Sequence, residues 1–198
     1  LTTLSAKSGV SASSIVGFAQ NLAPAARMAG ISQQDVMGIS TVANRAGADG
    51  TYAANVFSSI INDITQMKQT GSPDIKRYAQ AIGVGNDQIS NMQPLEIIDR
   101  LLKQVSSSGK SGVTTLSNLG FEGLRTQKAL QAVAGQGGFS EWTKISRDAF
   151  GSGSTKTASE EAYSGFFDSM IQLKNNVTDV AQVFGELLLP PLSKLAEV

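Results

Sequence analysis

A chain of 198 residues with 41% hydrophobic side chains has the length and apolar content for one large domain or two small ones. Its 16 cations balance its 16 carboxylates, which excludes a nucleic-acid binder driven by bulk positive charge and an acidic disordered tail. Cysteine and histidine are both absent, which removes disulfides, thiolate nucleophiles, the usual structural zinc sites and the commonest general base.

Mean hydropathy is −0.03 and no apolar run is long enough for a transmembrane helix. Charged residues are only 16% of the chain, so Ser, Thr, Gln, Asn, Ala and Gly fill the surface, a composition suited to contact with other protein. With Leu1 at its start, no signal-peptide pattern, and Val198 ending a helical pattern, the chain reads as a fragment of a longer polypeptide.

Leu1–Gly9 is short and polar. Ser11–Ala29 reads as a helix with Ile15, Phe18, Leu22 and Ala26 on one face and Ser11 or Ser13 as N-cap. Pro24 predicts a kink or break near Ala23, and Gly30 a left-handed cap. Ser32-Gln33-Gln34-Asp35 has the shape of a capping box opening a helix that buries Val36, Ile39, Val42 and Ala43 and ends near Gly47. Asp49-Gly50 is a turn. Thr51–Gln69 carries Ala53, Val56, Phe57, Ile60, Ile61, Ile64 and Met67 at helical spacing.

Gly71-Ser72-Pro73 stops that helix and starts another, with Ser72 as N-cap, that carries Ile75, Tyr78, Ala79 and Ile82. Gly83–Met92 reads as a polar loop. Pro94–Ser106 is helical through Leu95, Ile98, Leu101, Leu102 and Val105; Ser106–Gly112 reads as a Ser/Gly linker. Val113–Leu119 is a short helix ended by Gly120. Phe121–Ala134 is a helix using Leu124, Ala129, Leu130 and Val133. Gly135–Gly138 is a loop, and Phe139–Phe150 a helix with Trp142, Ile145 and Phe150.

Gly151–Thr157 reads as a flexible linker whose first five positions are all Gly, Ser or Thr. Beyond it, Tyr163, Phe166, Met170, Leu173, Val177, Val180, Phe184 and Leu187 are spaced 3, 4, 3, 4, 3, 4, 3. That is an apolar seam over about three and a half heptads, the pattern of a long helix that packs along another. A second strip of Phe167, Ile171, Ala181 and Leu188 is interrupted by Lys174, and Pro190-Pro191 stops or kinks the helix. The pattern alone leaves open whether the seam packs on its own domain or on copies of itself. The expected architecture is all-α: residues 1–150 form a bundle of short helices, 151–157 link, and 158–198 form one long amphipathic helix.

Candidate chemistry is sparse. Gly109-Lys110-Ser111 is similar to the end of a phosphate-binding loop, but Gln104 stands where the motif needs glycine, and a helix precedes it instead of a strand. Gly135-Gln136-Gly137-Gly138 lacks the third glycine of a dinucleotide fingerprint. Glu160-Glu161 suit a helix N-terminus. Asp87 and Asp99 have no calcium-loop spacing. Glu122 and Glu141 could each be a lone acid, but neither has a second carboxylate at readable spacing. Trp142 is a core or interface anchor by default. No catalytic set, cofactor motif or metal-ligand set emerges, so the chain is read as not an enzyme.

Three blocks resemble the central region of phage tail tape measure proteins. The first is Ala29-Gly30-Ile31-Ser32-Gln33-Gln34-Asp35, followed by Val42-Ala43-Asn44-Arg45-Ala46-Gly47 and Ala53-Ala54-Asn55-Val56. The second is Leu116-Ser117-Asn118-Leu119-Gly120-Phe121-Glu122-Gly123-Leu124-Arg125, with Leu119 where the family usually has phenylalanine. The third runs from Ala158 to Val198 through Leu173-Lys174-Asn175-Asn176-Val177 and Phe184-Gly185-Glu186-Leu187-Leu188-Leu189-Pro190-Pro191-Leu192.

The resemblance implies a virion component in the lumen of a phage tail, present in the host cytoplasm during assembly. It implies a part in setting tail length and in DNA ejection, through contacts with tail-tube, tail-tip and tail-assembly chaperone proteins. It also implies a homo-oligomer, with a trimer among the arrangements. No sequence-specific contact with nucleic acid and no cofactor are implied. A helix rises about 1.5 Å per residue, so even a fully helical chain of this length spans only about 300 Å; the segment is a module of a longer ruler. The alternatives are a bacterial secreted or surface helical interaction module, and a cell-wall hydrolase fragment using Glu122 or Glu141.

Overall fold

The computed structural model describes residues 1–48 and 50–150, together with Gly165, Asp168, Ser169 and Gln172. Ten helices follow in order among the described residues up to 150: α1 (Thr2–Ser8), α2 (Ala12–Met28), α3 (Gln33–Arg45), α4 (Gly50–Thr70), α5 (Ile75–Ile82), α6 (Asn86–Asn91), α7 (Pro94–Ser107), α8 (Lys110–Asn118), α9 (Leu124–Ala134) and α10 (Ser140–Phe150). No strand occurs among the described residues, so the all-α expectation holds for them. The linker 151–157 and the seam residues Tyr163, Phe166, Met170, Leu173, Val177, Val180, Phe184 and Leu187 lie outside the described residues.

Two helices organise the bundle. α3 is buried on every side from Asp35 to Ala43 and is packed by α2 and α10, with α1, α4 and α9 completing its surround. α7 is the hub of the second half: it keeps Glu96, Arg100, Lys103 and Gln104 exposed and touches α4, α5, α8 and α9 with its buried face. A single apolar core runs through both, from Leu4 on α1 to Trp142 on α10. The rings of Phe57 and Phe139 meet edge to face at 5.3 Å, joining α4 to the start of α10.

The residue pattern explains most boundaries. The Ser11 hydroxyl accepts from the Ser14 N–H at 3.1 Å, which makes Ser11 the N-cap of α2. At the other end of α2, Gly30 takes φ 70°, and the Ile31 N–H reaches back to the Ala26 carbonyl at 2.9 Å. α4 buries Ala53, Phe57, Ile60, Ile61 and Ile64 as the spacing requires, with Val56 and Met67 half-buried against them.

Several expectations are corrected. Leu1–Gly9 is not merely polar: Leu4 is fully buried and anchors α1. α2 is not broken at Ala23 but continues through Pro24. Pro24 and Gln20 are both exposed, so the carbonyl that loses its donor faces water. The loop predicted at Gly83–Met92 contains α6, pinned by buried Ile89 and followed by buried Met92. The Ser106–Gly112 linker shrinks to Ser108 and Gly109 because α7 and α8 extend toward each other. α9 starts at Leu124, not Phe121, and Leu124 is 68% exposed, not a core residue.

Tyr78 on α5 is buried, and that burial pushes its phenol up to about 12; Asp63 adds to the rise and Arg77 opposes it. The neutral phenol is therefore favoured by folding. This contribution is fully present below the unfolded value near 10 and is lost as pH climbs through 12. Urea titrations between pH 9 and 12 are expected to show an alkaline loss of about 2–3 kcal/mol that Tyr78→Phe lacks.

Candidate functional site

The N-termini of α3, α7 and α10 converge on one cleft of about 380 Å³, with the C-terminal turn of α2 closing its edge. Ala29, Gly30 and Ile31 come from that turn, Leu95 and Phe139 add apolar wall, and Asp35, Glu96, Asp99 and Arg147 supply charge. A helix N-terminus carries partial positive charge, so three ends meeting here attract carboxylates. The chain supplies its own.

Asp99 projects from α7 to the start of α10. Its Oδ1 accepts the Phe139 N–H at 2.6 Å and the Ser140 N–H at 3.1 Å; its Oδ2 accepts the Ser140 hydroxyl at 2.5 Å. Lys103, one turn along α7, places its Nζ 2.7 Å from Asp99 Oδ2 and donates to Ser140 Oγ at 2.6 Å. Gly138, at φ 82°, makes this possible: a Cβ there would lie 2.6 Å from Asp99 Oδ1. Asp99 is thus the cap of α10, delivered from another helix.

Asp35 holds the other end of α10. Its Oδ1 lies 2.7 Å from Arg147 Nε, a close ion pair outside good hydrogen-bond geometry, and Asp35 raises the Arg147 guanidinium further above its usual value. The expected capping box is therefore only half made. The Ser32 hydroxyl does accept the Asp35 N–H at 3.1 Å, but the Asp35 carboxylate turns to Arg147. Glu96 pairs with Arg100 at 2.9 Å on the exposed rim. Every carboxylate in the cleft thus has a cation of this chain beside it, and Ser140 sits inside a closed triangle with Asp99 and Lys103. The arrangement is chemically a clamp that locks α10 onto α3 and α7.

The remaining sequence candidates scatter. Glu122 lines a separate cleft of about 440 Å³ between α4 and the α8–α9 turn, shared with Tyr52 and Asp63. Glu141 is exposed in the first turn of α10 and lies outside that cleft. Gly109 and Lys110 open α8 directly after α7, in a helix–helix corner. Gln136, in the glycine loop, accepts from Arg45 Nε at 3.1 Å. Trp142 is a core anchor, 5% exposed, with the Arg45 guanidinium 5.4 Å over its ring. Arg45 also donates to the Ser8 carbonyl, so it ties α1, α3 and the start of α10 together.

Behind the clamp, Ser146 is fully buried with no hydrogen-bond partner for its hydroxyl among the described residues. Ser146→Ala is expected to be neutral or to stabilise by up to about 1 kcal/mol, read as the midpoint of urea unfolding.

Sequence spacing alone missed the clamp, although it left a trace. Leu95, Ile98, Asp99 and Leu102 fall at i, i+3, i+4 and i+7, and Asp35, Ile39 and Val42 at i, i+4 and i+7, so each aspartate lies in an apolar stripe. A carboxylate in such a stripe needs a hydrogen-bonding or charged partner. Among the described residues no group of three His, Cys, Asp or Glu stands close enough to hold a metal ion, and no helix is long and apolar enough to cross a membrane. No family model, curated protein or solved structure matches the chain.

Proposed function

We propose that this chain is a non-enzymatic structural segment of a phage tail tape measure protein. In this reading it acts within the tail lumen by contact with tail-tube, tail-tip and assembly-chaperone proteins and with copies of itself, helping to set tail length and to release DNA. The observation that carries the reading is the order and spacing of the three sequence blocks across nearly the whole chain. The low charge and the heptad seam are in keeping with it.

The segment contributes as a folded module within a longer ruler, since a bundle of short helices spans far less than an extended helix of the same length. The test is made on particles from the host that encodes the chain. Its peptides are expected in purified tails, protected from protease before DNA ejection and accessible or lost afterwards. Deletion of the whole gene is expected to abolish tails of defined length. Normal tails from the deletion strain, or tails without these peptides, overturn the proposal.

A further inference from the structure

We draw no further inference here: the strongest candidate, the cleft between α4 and the α8–α9 turn that Asp63 and Glu122 share, is an acidic pair with no second feature among the described residues that points to a ligand.

Discussion

Replacing Gly38 by alanine is expected to destabilise the bundle by about 3 kcal/mol, the upper end of the usual cost of overpacking. A Cβ at this position would lie 2.6 Å from the Thr143 Cα, 2.7 Å from the Thr143 nitrogen and 2.7 Å from the Trp142 carbonyl oxygen. All three are backbone atoms of α10, so no flexible side chain can swing aside. α10 would have to move off α3 as a body, and buried Trp142 and the Asp35–Arg147 pair would move with it.

Urea unfolding of Gly38→Ala beside Gly17→Ala makes the comparison clean. Gly17 lies within α2, and an added Cβ there meets nothing within 4 Å. That substitution is expected to stabilise by up to about 1 kcal/mol through helix propensity alone. Equal midpoints for the two variants would show that α3 and α10 do not cross this closely.

Removing the Asp99 carboxylate is the second large effect. Asp99→Ala leaves the Phe139 N–H without its acceptor in a place where Phe139 is 2% exposed, and it uncaps α10 at the same time. The expected cost is about 3 kcal/mol, combining a lost charged hydrogen bond with a lost cap. Asp99→Asn keeps one carbonyl oxygen for the two backbone donors but can no longer accept the Ser140 hydroxyl at its second atom, so it should fall between alanine and the native residue.

Lys103→Ala should cost under about 1 kcal/mol, because the lysine side chain is 49% exposed and its pairing is screened by water. Amide exchange at Phe139 and Ser140 reports the cap directly and should accelerate in Asp99→Ala but not in Lys103→Ala. Equal small effects from both would reduce Asp99 to an ordinary surface ion pair.

Much of the bundle was legible because local chemistry sets local structure. α4 is the clearest case: its apolar residues recur at helical spacing, and the Gly71-Ser72-Pro73 stop follows. The places where reading along the chain failed were those where one buried side chain outweighs a polar neighbourhood. Leu4 makes a helix of a segment that looks like a tail, and Ile89 makes one of a segment that looks like a loop. Leu124 failed in the opposite direction: it has helical spacing but sits at the first position of α9, turned to water. α3 was underestimated because a one-sided stripe predicts one buried face, whereas α2 and α10 cover it from opposite sides, burying Ser40 and Thr41 as well. Those two hydroxyls remain satisfied by donating to the Val36 and Met37 carbonyls one turn back.

The amino-acid pattern by itself determined the helical class of the described residues, the approximate span of most of their helices and several of their caps, because periodicity and capping act over a few residues. Only the tertiary structure decided which helix is central, why Gly38 is small, and where Asp35 and Asp99 send their charge. Phe139 and Ser140 meet Asp99 from about 40 residues away, and Arg147 meets Asp35 from further still. The apolar stripes mark both aspartates as needing a partner, but spacing along the chain cannot say which; that is settled only once three helix ends have been packed into one place.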